Sequence, residues 1–389
     1  AAEGGGGGGA QRLRLPVRAP VVPTPPRAAR VLWDQFHSVR YPSGYLPRDA
    51  LGGERDLLDW HQDHPHTNFG ALFEALVGQG YYVEVLQADY TCLGEGGLAA
   101  YGVLLVMDPE EGFFPEEREV LRRAVAGGLG LLAVGDWYSP GHLGALEFFD
   151  DNTRCLWRPV TGGANLPALN AALAPWGAAL GGRVWAGEHG RAGGPLGRMA
   201  VASGAALAAA PAGAQLLWAG LREELPPDAA TAAGAAAAAR TEDVPVLMAL
   251  DTAAAAFREG SAAPAATDGD SDGQGRGGRV VVHGDSSCFE GSLGTRPSCG
   301  QLLEAAVAFA AGRVDTVPGA IVLGQDWAAE GDAPPDAPAP GTTELFKYSK
   351  VLAPGAAAGD SCGWVADRAR LVATAADEGG GAVTVADAS

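Results

Sequence analysis

Four sets of residues carry side chains able to do chemistry. The densest is His61, Asp63, His64 and His66, an HxDHxH string with imidazole and carboxylate ligands of the kind that bind zinc. It stands in a stretch that reads as loop, without the i, i+4 helical spacing that sets two imidazoles on one metal, and the alternative is a polar loop capping a helix that begins at Thr67 or Asn68. Gly284-Asp285-Ser286 follows an apolar run, and a serine on a sharp strand-to-helix turn faces substrate. The string GDSSCFEG is not GxSxG, however, and no AspxxHis follows to supply the base that would activate the hydroxyl. Cys288 likewise lacks a flanking glycine on each side. Asp108 and Asp136, with Trp137, close two further apolar runs; strand ends are where α/β sheets bind ligands, and acidic residues there also serve as turn formers. No GxGxxG phosphate cradle follows an apolar strand, the pattern falling only in the glycine-rich runs Gly4–Gly9 and Gly273–Gly278, and GxxxxGK[ST] does not occur, so nucleotide and dinucleotide roles are unsupported.

The stretch Tyr101 to Tyr138 must position Asp108, Asp136 and Trp137. Val103 to Met107 and Leu129 to Val134 are unbroken apolar runs, the pattern of strands buried on both faces. Between them Pro115 suits a first helical turn, Glu116 and Glu117 complement the positive helix end, and Arg122 and Arg123 the negative end. Gly127 and Gly128 supply the stop, and Val120, Leu121, Ala124 and Val125 form the buried stripe. A crossover of this length is right-handed and implies an open, mostly parallel α/β sheet with helices on both faces. The expected class is flavodoxin-like or class I amidotransferase-like, interrupted by low-complexity insertions.

Elsewhere the pattern is uneven. Val31–Trp33 reads as a first strand, and His37–His66 as a long aromatic loop. A helix with Phe69, Leu72, Phe73 and Leu76 on one face leads through Gly78 and Gly80 to a strand at Tyr81–Leu86. Asn165 opens a short helix carrying Leu166, Leu169 and Leu173, with Trp157 and Trp176 expected against its flanks. From Gly187 to Arg240 the chain thins into Ala, Gly and Pro, including the run Ala235–Ala239, and only Gln215–Trp218 reads as a strand. Val244–Leu250, a Ser/Asp/Gly insertion over Gly260–Gly278, a strand over Arg279–His283 and a helix over Gln301–Ala311 follow. Residues 1–27 read as linker plus the last strand of a preceding β-domain, 28–315 as the α/β domain, and 316–389 as disordered stalk with Lys347–Leu352 the one constrained island.

The net charge of −19 among 389 residues argues against nucleic acid or an anionic membrane surface as partner, because phosphates must be met by Lys and Arg. No apolar run is long enough to span a bilayer. The five cysteines, Cys92, Cys155, Cys288, Cys299 and Cys362, form no CxxC pair, a spacing wrong for zinc and permissive of disulfides.

Several stretches, taken in order, resemble one family. They include VPTPPR at Val22–Arg27, RVLWDQFHSVRYPSGYLPRD at Arg30–Asp49, LDWHQDHPHTNF at Leu58–Phe69, DDNTRCLWRPVTGGANLPALN at Asp150–Asn170, VPVLMAL at Val244–Leu250, GDSSC at Gly284–Cys288 and YSKVL at Tyr348–Leu352. Together they are similar to the region after the protease domain in the site-1 proteases, subtilisin/kexin-type serine endopeptidases that process membrane-tethered transcription factors. The resemblance implies a parent with a calcium-assisted protease domain, a single carboxyl-terminal membrane helix, and a place in the Golgi and endoplasmic reticulum lumen. It carries over no catalytic residue, since the nearest strings to the family's motifs, Asp251-Thr252-Ala253 and His283-Gly284-Asp285, lack the required glycines and partners. The expected role is therefore a non-catalytic accessory domain without a cofactor of its own. Its partners would be the parent's protease and β-domains and, further, a lumenal protein. The rival is a free-standing hydrolase or amidotransferase-like domain using Ser286 or Asp136. An oxidising lumen would pair Cys288 with Cys299, whose nearness in sequence lets the intervening loop fold back. Cys92, Cys155 and Cys362 are then left, with at least one free or paired outside the chain.

Overall fold

The computed structural model describes residues 23–39, 63–146, 148–151, 154–157, 161–190, 196, 198–226, 241–254, 277–290, 297–336 and 349–365. The Gly-rich start, residues 12–22, His61, the run 235–239 and most of the 260–278 insertion lie outside the described residues. In chain order the first half contains β1 (Arg30–Asp34), α1 (Gly70–Gly78), β2 (Tyr82–Leu86), α2 (Tyr90–Leu98), β3 (Val103–Met107), α3 (Pro115–Ala126), β4 (Gly130–Val134) and α4 (Pro140–Ala145). A small hairpin, β5 (Phe148–Asp150) and β6 (Cys155–Trp157), precedes α5 (Leu166–Leu173) and β7 (Ala179–Leu180). Then come β8 (Val184–Gly190), β9 (Arg198–Gly204), β10 (Leu207–Ala210), β11 (Gln215–Glu224), β12 (Thr241–Asp251) and β13 (Arg279–His283). The last elements are α6 (Pro297–Ala310), β14 (Ile321–Val322) and β15 (Trp327–Ala328).

The large sheet runs β2-β1-β3-β4-β13-β12-β11-β8-β9. Its first five strands are parallel, in the doubly wound order 2-1-3-4-5, and the remaining strands extend it antiparallel. Every residue of β3, β4 and β13 is buried, because successive side chains enter opposite cores. Val103, Leu105 and Met107 pack with α1 and α6 on one face, and Leu104 and Val106 pack with α2, α3 and α5 on the other.

Several expectations are corrected. The first helix starts at Gly70 without a side-chain cap, because Thr67 and Asn68 are spent on the turn before it. Asn68 Oδ1 accepts from His64 N at 3.0 Å and its Nδ2 donates to Asp63 Oδ1 at 2.6 Å. Glu117 does stand in the first turn of α3, as expected, and is in addition fully buried there, accepting from Phe114 N and Tyr90 N, both at 2.9 Å. Helix α2 has no clear sequence signal, since YTCLGEGGL holds three glycines; Asp89 caps it, accepting from Thr91 N at 3.1 Å. Val120 is only partly buried, and so is Trp176.

The Ala/Gly-rich stretch is mostly sheet where it is described. Strands β8 to β11 replace the expected thin region, and the strand at Gln215 continues to Glu224. Pro245 of β12 lies opposite Trp218, where the register slips by one residue, so the missing N–H falls at a bulge. The expected stalk is also corrected over residues 316–336 and 349–365. There β14 pairs with β11, β15 pairs with β10, and Ser349 and Lys350 are tied to Glu111.

Candidate functional site

Asp108, Asp136 and Asp285 follow the ends of β3, β4 and β13, neighbours in the sheet, so the topology gathers at one point three carboxylates that are far apart along the chain. Ser286 lies between two of them, with Oγ 2.8 Å from Asp136 Oδ2 and 3.2 Å from Asp108 Oδ2. Trp137 N donates to Asp136 Oδ1 at 2.7 Å, and Ser287 Oγ donates to Asp285 Oδ1 at 2.5 Å. Asp108 takes the left-handed backbone conformation, φ 46°, which turns the chain sharply away from the strand.

Burial, then the neighbouring Asp108 and Asp285 carboxylates, push Asp136 well above the usual carboxylate range. Burial raises Asp285 to about 7. Burial and the two acidic neighbours thus favour the neutral form of Asp136. The Ser286 hydroxyl lies within donating distance of both Asp136 Oδ2 and Asp108 Oδ2 and has one proton to share between them.

The strand-end surface is closed. Asp108, Asp136, Trp137, Asp285 and Ser286 are all 2% exposed or less. The 161–165 loop lies across it, with Ala164 N on Trp137 O at 3.3 Å and Asn165 N on Pro109 O at 2.8 Å. Gly163 is required there, since a Cβ would stand 2.6 Å from Asp136 Cβ and Cγ. From the other side Gly284 meets the β9–β10 connection so closely that a Cβ would lie 2.0 Å from Ala205 O. His283 points away from the cluster, with Nδ1 2.8 Å from Val246 O and its ring edge-on against Phe289. The cluster thus holds three strand ends together, and Ser286 is buried within it rather than open at the surface.

A second buried cluster lies at the end of β1, where the sequence reading placed no site. Asp34 Oδ2 is 2.6 Å from His37 Nδ1 and accepts from Tyr90 OH at 2.5 Å. Its Oδ1 accepts from Phe36 N and His37 N at 3.0 and 3.2 Å. His37 Nε2 faces Glu117 Oε1 at 3.3 Å, and its ring stacks on Phe113 with centroids 4.0 Å apart. Burial alone would lower the His37 pKa, but Asp34 and Glu117 outweigh it and raise it to about 10. The available signal was Asp34 itself, an acid ending an apolar run just as Asp108 and Asp136 do.

The tail closes the same end of the sheet. Glu111 accepts from Ser349 Oγ, from Lys350 N at 2.9 Å and from Val351 N at 3.2 Å. Lys350 Nζ donates to Phe36 O at 2.5 Å and Ser38 O at 3.1 Å. Further along, Asp89 Oδ2 accepts from Ser361 Oγ at 2.7 Å and Gly359 N at 3.0 Å. A disulfide joins Cys92 to Cys362, Cα atoms 4.9 Å apart, so two of the cysteines left over on sequence grounds pair with each other. Cys288 and Cys299 are also joined, with Cα atoms 5.6 Å apart. Asp89, Cys92 and Cys362 lie within metal-ligand reach of one another, but the two sulfurs are bonded to each other and leave no thiolate to ligate. Asp63, His64 and His66 are not gathered at metal-ligand distance among the described residues: Asp63 serves Asn68, and His64 Nδ1 accepts from His66 N at 3.1 Å. Unreduced peptide maps are expected to recover Cys92 with Cys362 and Cys288 with Cys299. Alkylation of Cys92 and Cys362 as free thiols in oxidised material would overturn the tail's attachment.

Comparison with known proteins places this architecture. Membrane-bound transcription factor site-1 protease of Cricetulus griseus is 37% identical over 347 residues, 87% of this chain and 29% of that protein. Subtilisin-like protease SBT6.1 of Arabidopsis thaliana is 50% identical over 175 residues, 45% of this chain and 17% of that protein. The chain thus spans under a third of the curated relatives it matches. Among solved structures, the mmIFT52 N-terminal domain is similar at a TM-score of 0.40 and 11% identity, over 72% of this chain and 97% of that one. No helix of the described residues is long and apolar enough to cross a membrane. The family described as MBTPS1, fourth GATase-like domain, matches residues 25–318, and with a sheet in the doubly wound order whose strand ends are sealed by its own loops, the chain belongs to that family.

Proposed function

We propose that this chain is a non-catalytic accessory domain of a site-1-protease-like serine endopeptidase, one that processes membrane-tethered transcription factors in the secretory pathway. It would lie in the Golgi and endoplasmic reticulum lumen as part of a single-pass membrane protein, packed against the parent's protease and β-domains. Calcium would belong to the protease domain, outside this chain. The observation that carries the reading is the sealed strand-end surface: Ser286 is fully buried between carboxyl groups and has no activating imidazole among the described residues. A nucleophile needs both a base and access to substrate, and this serine has neither. The second disulfide fits the oxidising compartment, because such bonds persist there.

The isolated chain is therefore expected to show no endopeptidase activity on peptides with basic or hydrophobic motifs. Hydrolysis that disappears in Ser286→Ala would sink the reading in favour of an independent hydrolase.

A further inference from the structure

We propose that the rim at the amino-terminal ends of the parallel strands is the surface on which this domain docks against the β-domain preceding it in the parent, an inference that rests on the accessory-domain reading. Seven large apolar side chains are exposed among the described residues, and five of them are spread along this rim: Val77 (48%), Tyr82 (47%), Val314 (39%), Ile321 (64%) and Val322 (54%). Helix α1 runs back along the sheet, so Val77 falls at its rim end, and Tyr82 opens β2 opposite Arg30, the first residue of β1. The Val314 carbonyl accepts from Arg279, the first residue of β13. Gln215, the first residue of β11, pairs with Val322 and donates to Asp315 O at 2.8 Å. Soluble domains rarely leave apolar side chains concentrated at one end without something to cover them.

The occupant follows from where the chain enters. Arg27 is bolted to the rim, Nε to Ala99 O at 2.8 Å and Nη2 to Gly128 O at 2.7 Å. Arg313 Nη2 donates to Ala28 O at 3.0 Å while its guanidinium lies 4.2 Å from the centre of the Tyr81 ring. The entry point thus sits between the Tyr82 and Val314 sides of the patch. The preceding connector, Pro23-Thr24-Pro25-Pro26, is proline-rich; an extended segment of that length reaches about 12 Å at roughly 3.1 Å per residue. The described chain thus enters the domain at the rim through this connector, and the curated relatives are more than three times as long as the region matched here.

Photo-crosslinking in the full-length parent tests this. A benzophenone amino acid placed at Tyr82 or Ile321 is expected to cross-link within the same molecule to residues upstream of Arg12, at yields several-fold above the same probe at Phe149 or Leu352. Those two positions are the controls because they are 56% and 50% exposed, at least as open as Tyr82, so exposure alone predicts no such preference. Equal yields at rim and control positions, or capture of a second copy instead of the upstream domain, would overturn the proposal. The two readings fail separately. Peptide hydrolysis by the isolated chain, lost in Ser286→Ala, defeats the accessory role whatever the cross-links show. Missing rim cross-links in a protein whose isolated domain is inactive defeat the docking surface alone.

Discussion

Leu105→Asp is expected to abolish cooperative unfolding of the domain. Leu105 is fully buried in the middle of β3, paired with Trp33 of β1 and Leu132 of β4, and packs in the core beneath α1 and α6. An ionised carboxylate there has no partner, and the effective cost of burying one is several kcal/mol, comparable with the roughly 5–15 kcal/mol that holds a domain folded. Leu105→Ala provides the graded comparison: it removes packing without adding charge and is expected to cost about 2–5 kcal/mol while leaving a cooperative melt. Circular dichroism during heating and urea titration separates the two. A soluble Leu105→Asp protein with a single sharp transition would mean that β3 is not at the centre of the sheet.

How far the fold can be read before it is seen depends on how each part is stabilised. The parallel half is legible because a strand covered on both faces must be apolar throughout, so VLLVM and GLLAV stand out, and the chain must turn where Asp108 and Asp136 end them. The antiparallel half is not. LAAA in β10 and RMAVASG in β9 bury small side chains whose composition is that of linker, and what makes them strands is pairing with distant partners. The same holds for the sites. Asp285 and Ser286 stand out as a turn after a strand, but nothing local shows that Asp108 and Asp136 meet them, or that the 161–165 loop shuts them in. Cys92 and Cys362, separated by 270 residues, give no sequence signal of their pairing. YSKVL reads as constrained, yet its constraint is Glu111, reached only through the tertiary fold.

His37→Leu is expected to cost about 3–5 kcal/mol and to remove a pH dependence that the native protein shows. The substitution keeps an apolar side chain in contact with Phe113 but leaves Asp34 and Glu117, both 2% exposed or less, facing each other without the cation between them. The sign of the pH effect follows from the two shifts. His37 is raised from 6.5 to about 10, so its contribution is complete below pH 6.5 and is lost as the pH climbs through about 10. Burial would raise Asp34, but His37 and the Tyr90 hydroxyl hold it below 3.8; its contribution is present above that value and lost as the pH falls. Between pH 6.5 and about 10 the native domain should therefore lose stability with rising pH, by at most about 1.4 kcal/mol per pH unit from this one proton. In His37→Leu that component is absent, and the stability curve over the same window should be flatter as well as lower. Urea titrations of both proteins at several pH values across the window make the comparison. Parallel slopes would mean that His37 is neutral in the folded domain and that the Asp34 and Glu117 carboxylates are neutralised in some other way.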